Sequence, residues 1–305
     1  MAWLLGPEQP AMRYLAARDL LRPRPGDAAL ARLRSEVPKR GWARDILALQ
    51  KKRTWWYRGT NGYLPYYRAT IWHLQVLADL GMSRRDPRIS NAVEWWLDLH
   101  TAEDGGFTSR PGGYRRGHLC MTGNMVRSLI RFGYLRDERV QAGIDWLVDH
   151  QLRDGGWDCF WRGKGNLDSW EAMSAFAEIP PSRRSADVKE SIRRGADFFL
   201  KRRLLHEGRR YTPWTWLRYP WHFFYDVLVG IDFMTALGYG DDPRMEEALR
   251  HLAVKGRRDG RWNLSANNWY PHLGVAGRPS KMITFLALRA QRRAGVRTAH
   301  YNRPK

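Results

Sequence analysis

The residues QLRDGGWDCFW, 151–161, crowd a glycine pair, two tryptophans and a cysteine into eleven positions. The stretch recurs. EDGGF stands at 103–107 and RDGRW at 258–262, and their aspartates, Asp104, Asp154 and Asp259, are 50 and then 105 residues apart, one period and then two. The copy due near 207 is HEGRRYTPW, with Glu207 and Gly208 in place of Asp-Gly. One period before Asp104 lies KKRTWWYRG, 51–59, which keeps the tryptophans and has lost the glycines. A period of about 52 residues, sampled five times, is the mark of a repeat architecture.

Helical patterns fill each period. DPRISNAVEWWLDLH (86–100), DERVQAGIDWLVDHQ (137–151) and DPRMEEALRHLAVKG (242–256) align, and each opens on an aspartate suited to an N-cap. Each also carries apolar residues at helical spacing, such as Val140, Ile144, Leu147 and Val148. In front of each lies a more apolar helix that ends in glycine: ATIWHLQVLADLG (69–81), MTGNMVRSLIRFG (121–133) and VLVGIDFMTALG (227–238). SWEAMSAFAEIPP (169–181) is the matching helix of the degenerate repeat, while PEQPAMRYLAARDLL (7–21) and PSKMITFLALRAQRR (279–293) add one at each end. No segment alternates like a strand.

Six inner helices, each but the last followed by an outer one, bury every apolar face when the ring closes. The expected fold is therefore all-α, a single (α/α)6 toroid with DGGW turns between outer and inner helices. It forms one domain over 1–305, with repeats at about 7–65, 66–117, 118–166, 167–220 and 221–278 and a closing helix at 279–293. The glycines reverse the chain and the indole packs against the adjoining hairpin.

Composition excludes some classes. A chain that is 43% hydrophobic is not disordered, and no apolar run reaches the length of a membrane span. The opening MAWLLGPEQP lacks a basic n-region and a cleavage site, and two cysteines suggest a reducing compartment, so a cytoplasmic protein is expected. The net charge of +21 points to polyanions: nucleic acid, anionic lipid or a phosphorylated substrate. Yet 43 of the 52 basic residues are arginines spread along the chain, a skew that a GC-rich genome also produces.

Residues 151–157 match the QxxDGGW repeat of squalene and oxidosqualene cyclases, and nearly the whole chain resembles the prenyltransferase and squalene-cyclase repeat superfamily. Elsewhere Thr101 and Gly256 replace the glutamine. The resemblance implies an (α/α)6 barrel and an isoprenoid or other long apolar, phosphorylated ligand in a central aromatic cavity. The D-x-D-D and DDxxD acid motifs of the cyclases are absent, and Asp241-Asp242 begins an outer helix. Prenyltransferases hold zinc with Asp, Cys and His at the barrel rim. The residues that could do so here are Cys120, Cys159 and His222, with Asp158 beside them; otherwise they are two small thiols and a histidine flanked by aromatic residues.

The N-terminal ends of the inner helices supply the remaining candidates. Asp168 and Glu171, three apart, are either an acid–base pair or a cap and its capping-box glutamate. Tyr225 and Asp226 stand at the same level and are further catalytic candidates. Arg68, Arg115, Arg116 and Lys281 could meet a diphosphate, and His73, Trp157 and Trp161 could line the ligand. His73, Glu171 and Asp232 lie on apolar helices, where a polar side chain is costly unless paired or used. WTWLRYPWH, 214–222, either lines a chamber or fills out its repeat. Two other functions stay open. A nucleic-acid binder would present Trp55, Trp56, Trp157 and Trp161 on a basic outer face, and a non-catalytic scaffold would dock a helical protein partner.

Overall fold

The computed structural model describes residues 1–296 apart from 22, 25, 60, 111–115, 161, 208–210 and 267–272. Twelve α-helices and no β-strand occur among these residues. Six form the inner ring: α1 (Pro10–Leu20), α4 (Thr70–Asp79), α6 (Leu119–Phe132), α8 (Glu171–Ala177), α10 (Val227–Ala236) and α12 (Lys281–Arg293). The outer helices are α2 (Ala28–Glu36), α3 (Gly41–Ala48), α5 (Pro87–His100), α7 (Glu138–Asp149), α9 (Ala186–Lys201) and α11 (Glu246–Val254). Inner helices touch in the order α4, α6, α8, α10, α12, α1, and Tyr14 of α1 against Gly81 after α4 closes the ring.

Local chemistry explains the boundaries. Asp86 and Asp137 cap α5 and α7, and Asp242 caps the 3-10 turn leading into α11. Each accepts from the backbone N–H two residues on, at 2.8–3.0 Å, and pairs with that residue's guanidinium. The inner helices α4, α6 and α10 end before Gly81, Gly133 and Gly238, whose φ values of 85°, 103° and 97° are the left-handed stops the sequence anticipates.

The recurring turn is held by its aspartate and sealed by its indole. Asp154 accepts from the N–H groups of Gly156 and Gly165, both at 2.9 Å, and Asp104 accepts likewise from Gly106 and Gly117. A Cβ on Gly156 would come within 2.8 Å of the Gly165 Cα, which is why both positions are glycine. The Trp157 Nε1–H donates to the Leu147 carbonyl at 2.8 Å, Trp262 donates to Leu252 at 2.8 Å and Trp56 to Ile46 at 2.7 Å. Each acceptor lies ten residues back, among the last four carbonyls of an outer helix, where the regular bonds from four residues on run out. The tryptophan thus caps one helix while it packs beneath the next, and Trp56 identifies 51–59 as the worn first copy.

All six inner helices point their C-termini at one end, where charge gathers. Asp19, Asp79, Glu178 and Asp232 meet Arg18, Arg127, Arg131, Arg289 and Arg293 across α1, α4, α6, α8, α10 and α12. The arginines also answer the helix C-terminal dipoles, as where Arg292 donates to the Leu20 carbonyl. This ionic floor leaves the opposite end, where the inner helices begin, as the mouth.

Candidate active site

The mouth is built from the connections that enter α4, α6, α8 and α10. Asn61 turns the first by accepting from the N–H groups of Tyr63 and Leu64 at 2.9 and 3.1 Å, and the Trp72 indole donates to the Tyr63 carbonyl at 3.0 Å. So placed, the Tyr63 hydroxyl shares a hydrogen bond with the Cys120 sulfur at 3.1 Å. Cys120 is the second residue of α6, and Cys159, from the next connection, is near enough to bear on its electrostatics. Glu171, the first residue of α8, completes the group, and its charge would be felt by Cys159 and Tyr63.

Electrostatics divides the cluster. The neighbouring Cys159 side chain, joined by Tyr63 and the Met121 backbone, holds Cys120 below the ordinary thiol value against burial. Cys159 is driven up by Cys120 and by its own burial. Glu171 is 1% exposed, and both its carboxylate oxygens lack a hydrogen-bond partner among the described residues. Burial, reinforced by the Cys120 charge, raises its pKa well above the usual carboxylate range. Of the three polar residues noted on apolar helices, Asp232 is paired with Arg289 and Arg293, and His73 stacks on Trp56 at 5.1 Å.

Several expected roles are corrected by geometry. His222 does not join the two thiols. Its Nδ1 stands 3.2 Å from Gln75 Oε1, its ring meets Trp72 edge-on at 4.7 Å, and burial, with His73 near, pushes it down to about 3. Among the described residues no three His, Cys, Asp or Glu side chains are arranged to hold a metal ion, so Cys120, Cys159 and His222 do not fit a zinc site. Asp168 turns outward to accept from the Trp214 indole at 2.9 Å, so it neither pairs with Glu171 nor caps α8, whose N-cap residue is Trp170. Asp226 is the N-cap of α10, accepting from Val229 and Arg218 N–H at 2.9 and 2.7 Å, and burial pushes it up to about 7. The Tyr225 hydroxyl is spent on the Leu204 carbonyl at 2.9 Å. Lys281 is bound to the Glu8 carboxylate and the Trp3 carbonyl rather than facing an anion. Trp157 and Trp56 are buried in the wall and Trp55 is half-buried, so these three offer no stacking platform for bases. Arg68 and Arg116 are exposed at the mouth, while Arg115 and Trp161 lie outside the described residues.

The bore itself is filled by the chain. The segment entering α10 crosses to the far side of the ring, where Asn124 of α6 donates to the His222 carbonyl at 2.8 Å. Trp221, 2% exposed, lies 6.2 Å from Trp170 and beneath the Arg127 guanidinium, and Tyr219 is 1% exposed. Residues 217–222 of WTWLRYPWH therefore pack the interior, while Trp216 is exposed, and the expected central chamber is occupied along this segment. Space opens beside the thiols instead: a cavity of about 390 Å³ bounded by His118, Leu119, Trp146, His150, Trp157 and Cys159. A larger one, about 920 Å³, lies on the outer wall between α2, α3 and the α4–α5 connection, away from this cluster. Tyr63 is the site residue the sequence reading missed; it falls in NGYLPYY, outside every repeat motif.

The profile of the squalene-hopene cyclase C-terminal domain matches residues 43–166. Among solved structures, the type II terpene cyclase MstE from Scytonema is similar in two complexes. An aspartate-to-alanine variant with merosterolic acid A, its product, has a TM-score of 0.50 at 16% identity over 94% of this chain and 86% of that one. An arginine-to-alanine variant with geranylgeranyl dihydroxybenzoate, its substrate, has a TM-score of 0.50 at 15% identity over 94% and 87%. No curated protein sequence matches the chain. No helix among the described residues is long and apolar enough to cross a membrane. The ring of paired inner and outer helices and the likeness to these solved structures show an α/α toroid fold, with the squalene-hopene cyclase C-terminal domain profile covering residues 43–166 of it.

Proposed function

We propose that the protein binds an isoprenoid or other long apolar ligand at the mouth and acts on it with Glu171 as a Brønsted acid. The observation that carries this reading is the buried carboxyl group at the start of an inner helix, whose two oxygens lack a hydrogen-bond partner among the described residues and whose pKa burial raises. A structural acid would be paired, as Asp232 and Asp226 are. Large apolar side chains exposed on the same connections, Tyr57, Leu64, Tyr66, Phe160, Tyr211 and Trp216, give the mouth an apolar rim. The MstE complexes lend support, because a protein of similar fold holds a geranylgeranyl compound.

The chemistry balances without a cofactor. Glu171 gives its proton to a carbon–carbon double bond, the cation is consumed in forming a carbon–carbon bond, and loss of a proton to the carboxylate restores the acid. The π faces of Tyr63, Trp72 and Trp170 at this end suit a passing cation. Incubation with linear polyprenyl compounds that carry a free terminal alkene should yield an isomeric product by mass spectrometry. E171Q should lower the rate by at least ~100-fold. Activity should persist through the ordinary carboxylate range and fall as pH rises through the elevated Glu171 pKa. Because ionising this group in the fold is unfavourable, E171Q should be no less stable than wild type above pH ~5. Equal turnover by E171Q, or no polyprenyl compound consumed by wild type, rejects the reading.

A further inference from the structure

We propose that the cavity of about 920 Å³ on the outer wall binds a phosphorylated amphiphile, its chain on an apolar floor and its phosphate among arginines. The site lies away from the mouth and does not depend on Glu171. It exists because the first unit departs from the others: two short helices, α2 and α3, stand outside α1 where later units have one. α2 buries none of its residues and leans on α1 beside the seam where Tyr14 meets Gly81. Tyr14, Leu47 and Met82, each 5% exposed or less, floor the space, and the half-buried Leu30 of α2 walls it. A volume of this size suits a small molecule with an apolar body and a few polar anchors.

The charge around this floor is unbalanced. Arg34, Arg53, Arg85 and Arg88 border the cavity against two carboxylates, Asp27 and Asp86. Both acids are engaged. Asp27 caps α2 by accepting from the Ala29 N–H at 2.7 Å, and Asp86 holds the Arg88 N–H and guanidinium. Arg34 lies 5.8 Å from the centre of the Tyr14 ring and, like Arg53 and Arg85, makes no ion pair among the described residues. Arg53 and Arg85 stand on the same rim. Gln50 Nε2 donates to the Arg88 carbonyl at 2.8 Å and ties the exit of α3 to the first turn of α5; Arg53 follows one partner and Arg85 precedes the other. Lys52 and Arg53 hold φ of 50° and 53°, a left-handed turn made without glycine, and a costly backbone that presents an arginine at a cavity edge points to use of that side chain. Guanidiniums without a carboxylate take a phosphate through their parallel N–H donors. A bare anion would leave the apolar floor wet, and a neutral lipid would leave the arginines unanswered, so one ligand must carry both halves.

The probes are octyl phosphate, octanol and inorganic phosphate, titrated into the intact protein by calorimetry at low ionic strength. Octyl phosphate should bind at least ~10-fold more tightly than either of the others, because it alone fills both halves of the site. R53Q/R85Q should weaken octyl phosphate at least ~10-fold, while R153Q/R183Q, equal in charge but away from the cavity, should change it less than ~2-fold. A31W, which fills the cavity from α2 at constant charge, should also weaken it at least ~10-fold. Octanol or inorganic phosphate binding as tightly as octyl phosphate overturns the proposal. So does an equal loss in the two arginine doubles, which would mean diffuse attraction to the net charge of +21. Unchanged binding in A31W would put octyl phosphate elsewhere, the mouth included, and overturns it too. All four replaced arginines and Ala31 are exposed, so the variants leave the core intact, and the comparison of three probes on wild type needs no variant.

Discussion

Replacing Asp232 with alanine should lower the unfolding free energy by about 3–5 kcal/mol, the range for breaking one side of a buried ion pair. Asp232 lies in α10 and accepts from Arg289 of α12 through Nε and Nη2, at 2.8–3.1 Å, while Arg293 one turn on reaches the same oxygen at 3.1 Å. The side chains of Asp232 and Arg289 are 10% and 7% exposed, so the alanine variant would strand buried guanidinium charge. Asp19 could compensate only in part, since its 3.2 Å contact with Arg289 is already made and it also serves Arg18. A double replacement, D232L with R289M, should recover most of the loss, because apolar groups of similar volume often match a buried ion pair. Urea titration checks both variants, with an unchanged slope confirming a change in stability alone.

The same floor sets the response to acid. Burial by itself would raise the pKa values of Asp232, Glu178 and Asp19; the arginines beside them, Arg289, Arg131 and Arg18 foremost, outweigh it and hold all three below their ordinary values. For acids depressed in the folded state, the stabilisation is complete above the unfolded carboxylate range and is lost as pH falls through and below about 4. Wild-type stability should therefore drop in that window, and D232A should show a shallower drop because one contributor is gone. An acid limb equally steep in the variant would mean that other carboxylates dominate.

Much of the ring was legible because its determinants are local and repeated. Asp86, Asp137 and Asp242 announce caps, Gly81, Gly133 and Gly238 announce stops, and the indoles of Trp157 and Trp262 mark where an outer helix is sealed. Each depends on neighbours within a few residues or one period, so the pattern survives in a single sequence. The site depended on the opposite circumstance. Tyr63 and Cys120 are 57 positions apart, Gln75 and His222 are 147 apart, and Lys281 and Glu8 are 273 apart. Which side chains meet at the mouth follows from how the connections fold over it, and those connections carry no periodicity. Three of the mistaken assignments share one cause: Asp226, Tyr225 and Lys281 were placed at the right level of the barrel, but backbone groups and a carboxylate already claim them. Glu171 stands out in the sequence because an acid on an apolar inner helix must be either paired or used, and the structure leaves both its carboxylate oxygens without a hydrogen-bond partner among the described residues.

Trp157→Ala should destabilise the fold by about 3–5 kcal/mol, as expected for a fully buried large side chain removed from a packed wall. Its ring is 0% exposed, lies 6.1 Å from Phe176 of α8 and reaches α9 at Gly195, where a Cβ would sit 3.1 Å from the indole edge. The truncation would therefore open a void at the junction of α7, α8 and α9 that glycine on one side cannot fill. Trp157→Phe separates packing from hydrogen bonding. Phenylalanine keeps most of the apolar fill but cannot donate to the Leu147 carbonyl at the end of α7, so a smaller loss of about 1–2 kcal/mol is expected. The second repeat already contains this experiment: Phe107 occupies the equivalent place, fully buried, with its N–H donating to Thr122 Oγ1 at 2.8 Å, so the hydrogen bond to the next inner helix persists without an indole. Trp262 and Thr284 make the same link at 3.0 Å, and Trp56 and Thr70 at 3.2 Å. If W157F were as damaging as W157A, the indole N–H would be the chief element of the seal, and the comparison with Phe107 would fail. If W157A were tolerated within 1 kcal/mol, the DGGW turn would not be what joins neighbouring hairpins.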